Sequence, residues 1–219
     1  AGLFWGDGTT AGKDSLWIYY DNITEHDFGE SIKENLDFYV SDLDHKVKNN
    51  MQNDGQNKSE MKKINYGSQI GRKIQYEMGF KKIKASDRRL PKILFNCSEK
   101  ELCLFFNGWF STDGSVGKEI ISLYNTSYDC LRDAQILLAK IGIKSSVKNN
   151  EHLKIIVRGK EISRVSQLFI SGHKNIIIFK DKINFINEKK TMKLDILTQR
   201  IKKKMNDKPT KVKSITYVG

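Results

Sequence analysis

Two stretches of the chain share one pattern, an apolar run that contains small residues and is closed by the dipeptide Asp-Gly. The first is AGLFWGDGTT, over residues 1–10, and the second is NGWFSTDGSV, over residues 107–116. In both places a segment with strand character follows the Asp-Gly pair. A single Asp-Gly pair is a common turn, but its recurrence in the same context indicates a duplicated unit.

The small residues within the two runs predict how the runs pack. Gly2 and Gly6 are four positions apart in the first run, and Gly108 and Thr112 hold the same spacing in the second. Small residues at this spacing let two helix backbones approach closely, a geometry best known from membrane helices. We therefore predict that the two runs are helices packed on each other as a central pair.

That helix pair would bring Asp7 and Asp113 side by side at the two helix ends. A carboxylate at a helix C-terminus meets the negative end of the helix dipole, and two close carboxylates repel each other. A shared divalent cation relieves both costs, and Mg²⁺ suits a site of carboxylates and phosphates. The arrangement is typical of metal-assisted phosphodiester hydrolysis, so both residues are predicted to be catalytic metal ligands.

Composition limits the function further. The 219 residues can bury one large core or two smaller cores that share an interface, and a duplication favours two. The formal net charge of +12 favours a nucleic-acid partner, although a lysine-rich solvated surface from an AT-biased genome is an alternative.

The cysteines lack metal-ligand spacing, which predicts reduced thiols in an intracellular protein. No apolar run approaches the roughly 18 residues of a membrane span, so we expect a soluble, non-secreted protein without a membrane partner.

The segments between the motifs predict helices and strands in a repeated order. Residues 15–20 are rich in aromatic and branched side chains and predict a strand, and apolar residues four positions apart between 28 and 40 predict a helix. The other elements predicted before the second motif are a long polar excursion over 41–63, a short strand over 64–67, a helix over 68–79 and a basic connector over 81–92.

The second half repeats this order. Ser98 is a predicted N-cap for the helix that ends at Asp113, because glutamates in the first turn complement the dipole. The remaining predicted elements are a strand over 116–124, a helix over 128–142, a hairpin of strands over 143–148 and 153–158, a helix over 161–169 and a basic helix over 189–204.

Positive charge is concentrated on one face of the predicted strands. Alternate strand residues face opposite sides, so Lys144 and Lys148 share a face that Val147 does not. Such a face fits a DNA groove, with cations on phosphates and other polar side chains on bases, although a solvated sheet without a ligand has the same pattern. The residues predicted to contact DNA are Lys13, Trp17, Tyr19, Lys118, Ser122, Tyr124, Lys144, Ser146, Lys148, Lys154 and Arg158.

Taken together, these features resemble the LAGLIDADG homing endonucleases in their single-chain form with two motifs. AGLFWGDG, over residues 1–8, is similar to the first motif without its leading Leu, and FNGWFSTDG, over residues 106–114, is similar to the second. DRRLP, over residues 87–91, resembles the basic-x-apolar-Pro block that precedes the second motif in intein-borne members. KINFINEKKTMKL, over residues 182–194, resembles the late block that places a basic pair before a helix.

The resemblance implies an α+β fold of two pseudo-symmetric αββαββα halves. Their motif helices would form the interface, and their antiparallel sheets would form a saddle on double-stranded DNA. It also implies a monomer that cuts both strands across the minor groove and leaves short 3′ overhangs. The predicted divisions are a first half over 1–92, a second half over 93–207 and a tail over 208–219. The tail is similar to an intein's re-entry strand, but the chain lacks the splicing residues, so we expect no splicing.

The resemblance assigns roles to individual residues. The metal ligands are Asp7, Asp113 and the backbone carbonyls of Gly6 and Thr112, with Mg²⁺ as the cofactor and Mn²⁺ as a substitute. Lys190 matches the family's catalytic-site lysine, and Arg88 stands where the family usually has Lys. Because arginine hardly ever deprotonates, Arg88 would stabilise charge rather than transfer a proton.

Two other interpretations remain open from the sequence. The first is a relative that binds nucleic acid without cleaving it, such as an RNA maturase or a regulator. The arginine at position 88 favours it, but the retention of two unfavourably placed carboxylates argues against it. The second is a basic structural protein, which would require the repeated helix-to-strand context of the Asp-Gly pairs to be coincidental.

Overall fold

The computed structural model describes residues 2–9, 16–21, 48–53, 60–66, 85–150, 152–157, 160–163 and 165–206. The predicted helices over 28–40 and 68–79 lie outside these ranges, as do Lys13, Arg158 and the tail. Within them, no helix is both long and apolar enough to cross a lipid bilayer.

Helices and antiparallel strands alternate along the chain. The helices are α1 (Gly2–Asp7), α2 (Glu99–Asp113), α3 (Tyr128–Lys140), α4 (His173–Lys182) and α5 (Glu188–Asn206), with 3-10 turns at Ala85–Asp87 and Lys92–Asn96. The strands are β1 (Gly8–Thr9), β2 (Leu16–Asp21), β3 (Lys48–Asn53), β4 (Glu60–Tyr66), β5 (Gly114–Val116), β6 (Ile120–Asn125), β7 (Ser146–Lys148), β8 (Lys154–Val157), β9 (Lys160–Ser163) and β10 (Ser166–Ser171). This mixture confirms the predicted α+β fold class.

Two four-stranded sheets repeat one antiparallel topology. The first has the order β1-β2-β4-β3 and the second has the order β5-β6-β10-β7, while β8 and β9 form a separate two-stranded sheet. In each four-stranded sheet the short strand that follows a motif helix pairs with the next strand along the chain. The repetition supports a pseudo-symmetric pair of halves, and the exact division at residue 92 stays a prediction.

Local signals account for the helices of the second half. Ser98 and Glu101 form a reciprocal capping box at the start of α2, as Ser98 Oγ accepts from Glu101 N and the Ser98 backbone N–H donates to Glu101 Oε2 at 2.7 Å. Ser127 caps α3, and Gly142, with a φ of 87°, follows its end. The predictions of α2, α3 and the basic helix α5 are therefore confirmed.

Strand pairing differs from the prediction in this half. The predicted hairpin of 143–148 with 153–158 is wrong, because β7 pairs with β10 and β8 pairs with β9. The predicted helix over 161–169 is also wrong, because β9 and most of β10 occupy that segment. Leu168 and Ile170 are buried while Gln167 and Phe169 are half-buried, which is the period of two expected of a strand.

The prediction differs from the structure at three further places. The polar excursion over 41–63 contains β3 and the start of β4, since polar residues complete the edge of the first sheet. The strand predicted over 116–124 is divided into β5 and β6 by a turn in which Gly117 N donates to Ile120 O. Helix α4 was not predicted, although it contributes the buried Ile176 and Phe179 to the core.

Candidate active site

Helices α1 and α2 cross at glycines, as the small residues predicted. A Cβ atom added to Gly2 would lie 1.8 Å from Phe105 O, and one added to Gly108 would lie 2.6 Å from Leu3 N. Since no real side chain tolerates backbone atoms at those distances, only glycine permits this approach. The predicted central helix pair is confirmed, and it fixes where the C-terminal ends of the two motif helices meet.

Aromatic rings hold the pair together around its contact. Trp5 of α1 meets Trp109 of α2 edge to face, with ring centroids 6.2 Å apart, and both side chains are buried. Phe106 stacks on Trp109 at 6.4 Å, and Phe105 contacts the same ring at 5.8 Å. Such rings contribute large buried area and directional contacts, so the end of α2 is rigidly supported.

Asp113 is the last residue of α2 and lies half-buried at the end of this pair. The Trp109 Nε1–H donates to its Oδ2 at 3.0 Å, and the same oxygen lies 3.4 Å from where a Cβ of Gly6 would stand. Burial raises the pKa of the Asp113 carboxyl, and the Trp109 hydrogen bond and the charges of Lys190 and Arg88 partly counteract that rise. The structure therefore combines a costly buried acid with groups that favour its ionised form.

Lys190 reaches this point from α5. Its Nζ donates to Ser111 O at 2.7 Å and to Thr112 O at 2.8 Å, so its charge lies at the negative end of α2. The preceding loop is fastened to the same helix, because Ile186 N donates to Ser111 Oγ at 2.7 Å and Asn107 Nδ2 donates to Ile183 O at 2.8 Å. Two independent anchors thus hold Lys190 beside Asp113.

Arg88 is delivered by the connector between the halves. Ser127 Oγ donates to Arg88 O at 2.6 Å, which ties the connector backbone to the start of α3. The Arg88 charge is close enough to lower the pKa of Asp113. Arg88 thus acts electrostatically on Asp113, and its role in the site stays a prediction.

The neighbouring Arg89 has a different role. Its Nε donates to Asp133 Oδ2 at 2.7 Å and its Nη2 donates to Asp133 Oδ1 at 2.6 Å, and the Leu90 backbone N–H donates to Oδ2 at 3.1 Å. Asp133 is only 2% exposed. This bidentate clasp between α3 and the connector was not predicted from the sequence, where Arg88 matches the basic position of the block and Arg89 is its neighbour.

The oxygen atoms at this helix end fit a hard divalent cation. Asp113 offers a carboxylate and α2 offers its last carbonyls, an oxygen-only set of the kind that Mg²⁺ prefers. Thr112 O already accepts from Lys190, which leaves that carbonyl one lone pair. Asp7 ends α1, so its backbone is placed as predicted, but its side chain lies outside the described part. Among the residues described, no group of three or more His, Cys, Asp or Glu could hold a metal ion.

The second four-stranded sheet carries four of the eleven residues predicted to contact DNA, namely Ser122, Tyr124, Ser146 and Lys148. Direct partners across an antiparallel sheet share a face, and the row Tyr124, Gln167 and Lys148 crosses β6, β10 and β7. The exposed residues from the predicted set are Lys118, Tyr124, Lys144, Ser146, Lys148 and Lys154. Ser122 differs from the prediction because it is 2% exposed, with Gln167 hydrogen-bonded to it.

Gln167 and Phe169 were missed by sequence reasoning. Both lie on β10, which pairs with β6 so that Gln167 is opposite Tyr124 and Phe169 is opposite Ser122. The alternation of SQLFIS was the available signal, but the segment was assigned to a helix. In the first sheet Trp17 is paired with Thr9 and with Asn65, and Tyr19 is paired with Lys63.

A profile of the LAGLIDADG-like domain family matches residues 100–184. The fold is similar to that of the homing endonuclease I-DmoI. Its complex with DNA and Ca has a TM-score of 0.58 at 14% identity, covering 89% of this chain and 94% of that one. An I-DmoI variant with its target DNA in 2 mM Mg has a TM-score of 0.56 at 15% identity, covering 83% and 91%. The predicted resemblance to the LAGLIDADG family is confirmed.

Two curated proteins are similar in sequence to about half of this chain. A probable translation initiation factor IF-2 of Thermococcus kodakarensis is 29% identical over 114 residues, which are 51% of this chain and 9% of that protein. The replicative DNA helicase DnaB of Rhodothermus marinus is 24% identical over 117 residues, which are 50% of this chain and 12% of that protein. The matched segment is thus a small part of two much longer proteins.

Proposed function

We propose that this chain is a site-specific endonuclease that hydrolyses both strands of a DNA duplex with a divalent cation. The observation that carries the proposal is the half-buried Asp113 carboxyl at the end of α2, to which the Trp109 indole donates, with the Lys190 ammonium bound to the last carbonyls of the same helix. Buried acids flanked by fixed cations are typical of catalytic sites. A protein that only binds nucleic acid has no need to bury an acid there.

The residues divide the chemistry among them. Asp113 and Asp7 would hold the cation, which when bound activates a water and stabilises the leaving oxygen. The Trp109 indole orients the Asp113 carboxylate through the bond to Oδ2. Lys190 and Arg88 stabilise the negative charge that develops on the scissile phosphates. Ser111 O and Thr112 O both accept from the Lys190 ammonium, which holds it at the end of α2.

The outer sheet faces would grip the duplex. Lys118, Lys144, Lys148 and Lys154 are exposed cations of the second half, and phosphate contacts of this kind supply most of the affinity in salt-dependent DNA binding. The I-DmoI structures in complex with DNA and Ca or Mn support both the partner and the metal class. We propose Mg²⁺ as the cofactor, with Mn²⁺ as a substitute.

We also propose that the chain derives from an intein-borne endonuclease. The two curated relatives have names that describe unrelated activities, translation initiation and DNA unwinding. A segment of similar length in both is readily explained by a portable insertion. Sequencing the gene that surrounds this chain tests the origin, since an uninterrupted gene without splicing blocks would contradict it.

A cleavage selection tests the endonuclease. The protein is incubated with a duplex library carrying a randomised stretch, with Mg²⁺, with Mn²⁺ or with a chelator, and the cut ends are sequenced. We expect cutting at one related set of sequences with short 3′ overhangs, and only with metal. Binding without any cutting would instead favour the non-cleaving maturase or regulator.

The acid is tested with a matched pair of variants. Asp113→Asn should abolish double-strand cleavage while the protein still retains the same DNA on a filter. Asp181→Asn, which changes an exposed acid on α4, should cut like the unaltered chain. Cleavage by Asp113→Asn at an undiminished rate would remove Asp113 from the site.

A further inference from the structure

Gln167 has its side-chain amide fixed by two hydroxyl groups of the neighbouring strand. Its Nε2 donates to Ser122 Oγ at 3.0 Å and to Tyr124 Oη at 2.9 Å. Both hydrogens of the amide are therefore used within the sheet. Gln167 is directly opposite Tyr124 in the register, and Ser122 is the diagonal neighbour on the same face.

The same bonds determine which polar groups are left for a ligand. Gln167 Oε1 accepts no hydrogen bond from the residues that the structure describes, so it offers two acceptor lone pairs. Tyr124 Oη accepts from Gln167, which directs the hydroxyl hydrogen away from the amide. Tyr124 is 37% exposed and Ser122 is 2% exposed, so Ser122 orients the amide from below while Tyr124 and Gln167 face outward.

An outward acceptor beside an outward donor matches one base pattern in the DNA major groove. Adenine presents the N6 amino group as a donor next to N7 as an acceptor, whereas guanine presents two acceptors. Thymine presents an acceptor and a methyl group, and cytosine presents a lone donor. Guanine and thymine would each place an acceptor against Gln167 Oε1.

We propose that Gln167 and Tyr124 together read one adenine in the target duplex, with Oε1 accepting from N6 and the tyrosine hydroxyl donating to N7. This inference rests on the proposed DNA-binding function of the same face. A glutamine with a free amide can rotate to present its donor to guanine or thymine. Here that rotation breaks two hydrogen bonds, so the fixed amide discriminates against both bases.

The test is a binding selection on duplexes with a randomised stretch, with Ca²⁺ in place of Mg²⁺. The unaltered protein should enrich one related sequence. Gln167→Met removes the acceptor at similar size, and it should lower the preference for adenine over guanine by about tenfold at one position only. Gln199→Met, an exposed glutamine of α5, serves as the matched control and should leave the enriched sequence unchanged.

Gln167→Glu tests the orientation of the amide. A carboxylate has only acceptors, so it should keep the rejection of guanine and thymine at that position while weakening overall binding. A change from guanine or thymine to adenine or cytosine in this variant would show that the amide donor faces the DNA, which overturns the inference. An enriched sequence that Gln167→Met leaves intact also overturns it, with the proposed function unharmed. If the unaltered protein enriched no sequence at all, both the inference and the proposed function would be contradicted.

Discussion

Two segments bring a cation to Asp113, and they are held in different ways. Lys190, in the first turn of α5, is held through its own side chain, because its ammonium binds two carbonyls of α2. The connector fixes Arg88 through its backbone and its neighbour, by the Ser127 bond and the Arg89 clasp on Asp133. The comparison shows that Lys190 is bound to the end of α2 itself, whereas the position of Arg88 depends on contacts made by its backbone and by Arg89.

The difference also separates their chemistry. Lysine is a compact point charge on a flexible stem, whereas arginine is a planar fork that stays charged. Lys190 is therefore a charge bound to the end of α2, and Arg88 contributes a charge that stays constant.

The largest expected effect comes from replacing Lys190, whose ammonium is bound directly to α2. Lys190→Met should lower the cleavage rate about 10²- to 10³-fold, the cost of removing one fixed charge-stabilising donor, with little loss of DNA affinity. Single-turnover cleavage of a saturated complex measures it. Lys193→Met, an exposed lysine one turn further along α5, is the matched control. Equal rates for both variants would remove Lys190 from the site.

The next largest effect is expected from forcing apart the helix pair α1 and α2, which carries both acids. Gly108→Ala places a methyl group 2.6 Å from Leu3 N, so the helices must separate, which should lower the free energy of unfolding by about 2 kcal/mol. Gly142→Ala has open space, and its positive φ alone should cost about 1 kcal/mol. Urea denaturation compares them. A smaller loss for Gly108→Ala than for Gly142→Ala would contradict the close crossing.

Breaking the clasp tests the indirect support of Arg88. Asp133→Asn leaves Arg89 with only the more distant Asp129, whose Oδ2 lies 3.8 Å from Arg89 Nη1, and should destabilise the fold by about 1.5 kcal/mol, since a hydrogen bond to a charged group is worth roughly 1.5–3 kcal/mol and Arg89 is well exposed. Thermal unfolding measures the loss. Single-turnover cleavage should also slow, because Arg88 loses its position. Full cleavage at an unchanged rate would show that the connector does not need the clasp.

The smallest effect concerns the stability cost of the acid itself. Burial raises the pKa of Asp113, so its ionisation destabilises the folded state as pH rises through the folded pKa. Asp113→Asn cannot ionise and should therefore melt slightly above the unaltered protein at pH 7 without divalent metal. The difference should vanish below the ordinary Asp pKa of about 3.9. A lower melting temperature for the variant at pH 7 would contradict the raised pKa.

Much of the site followed from the order of residues alone. The doubled run with small residues predicted the helix pair, and the N-cap at Ser98 predicted the start of α2. These signals depend on residues within one or two turns of each other, so sequence reasoning can detect them. Lys190 was found through its family block, and the structure places it on the end of α2.

Tertiary contacts decided the rest. β10 was taken for a helix although SQLFIS alternates, because its partners β6 and β7 are distant in sequence and their pairing cannot be read from the linear order. The same pairing brought Gln167 to Tyr124. Arg89 was only the neighbour of the matched Arg88 in the sequence, and the structure shows that the buried Asp133 binds it. Local chemistry determined the helices and their acids, whereas strand partners and buried charge pairs arise from contacts that the linear order does not contain.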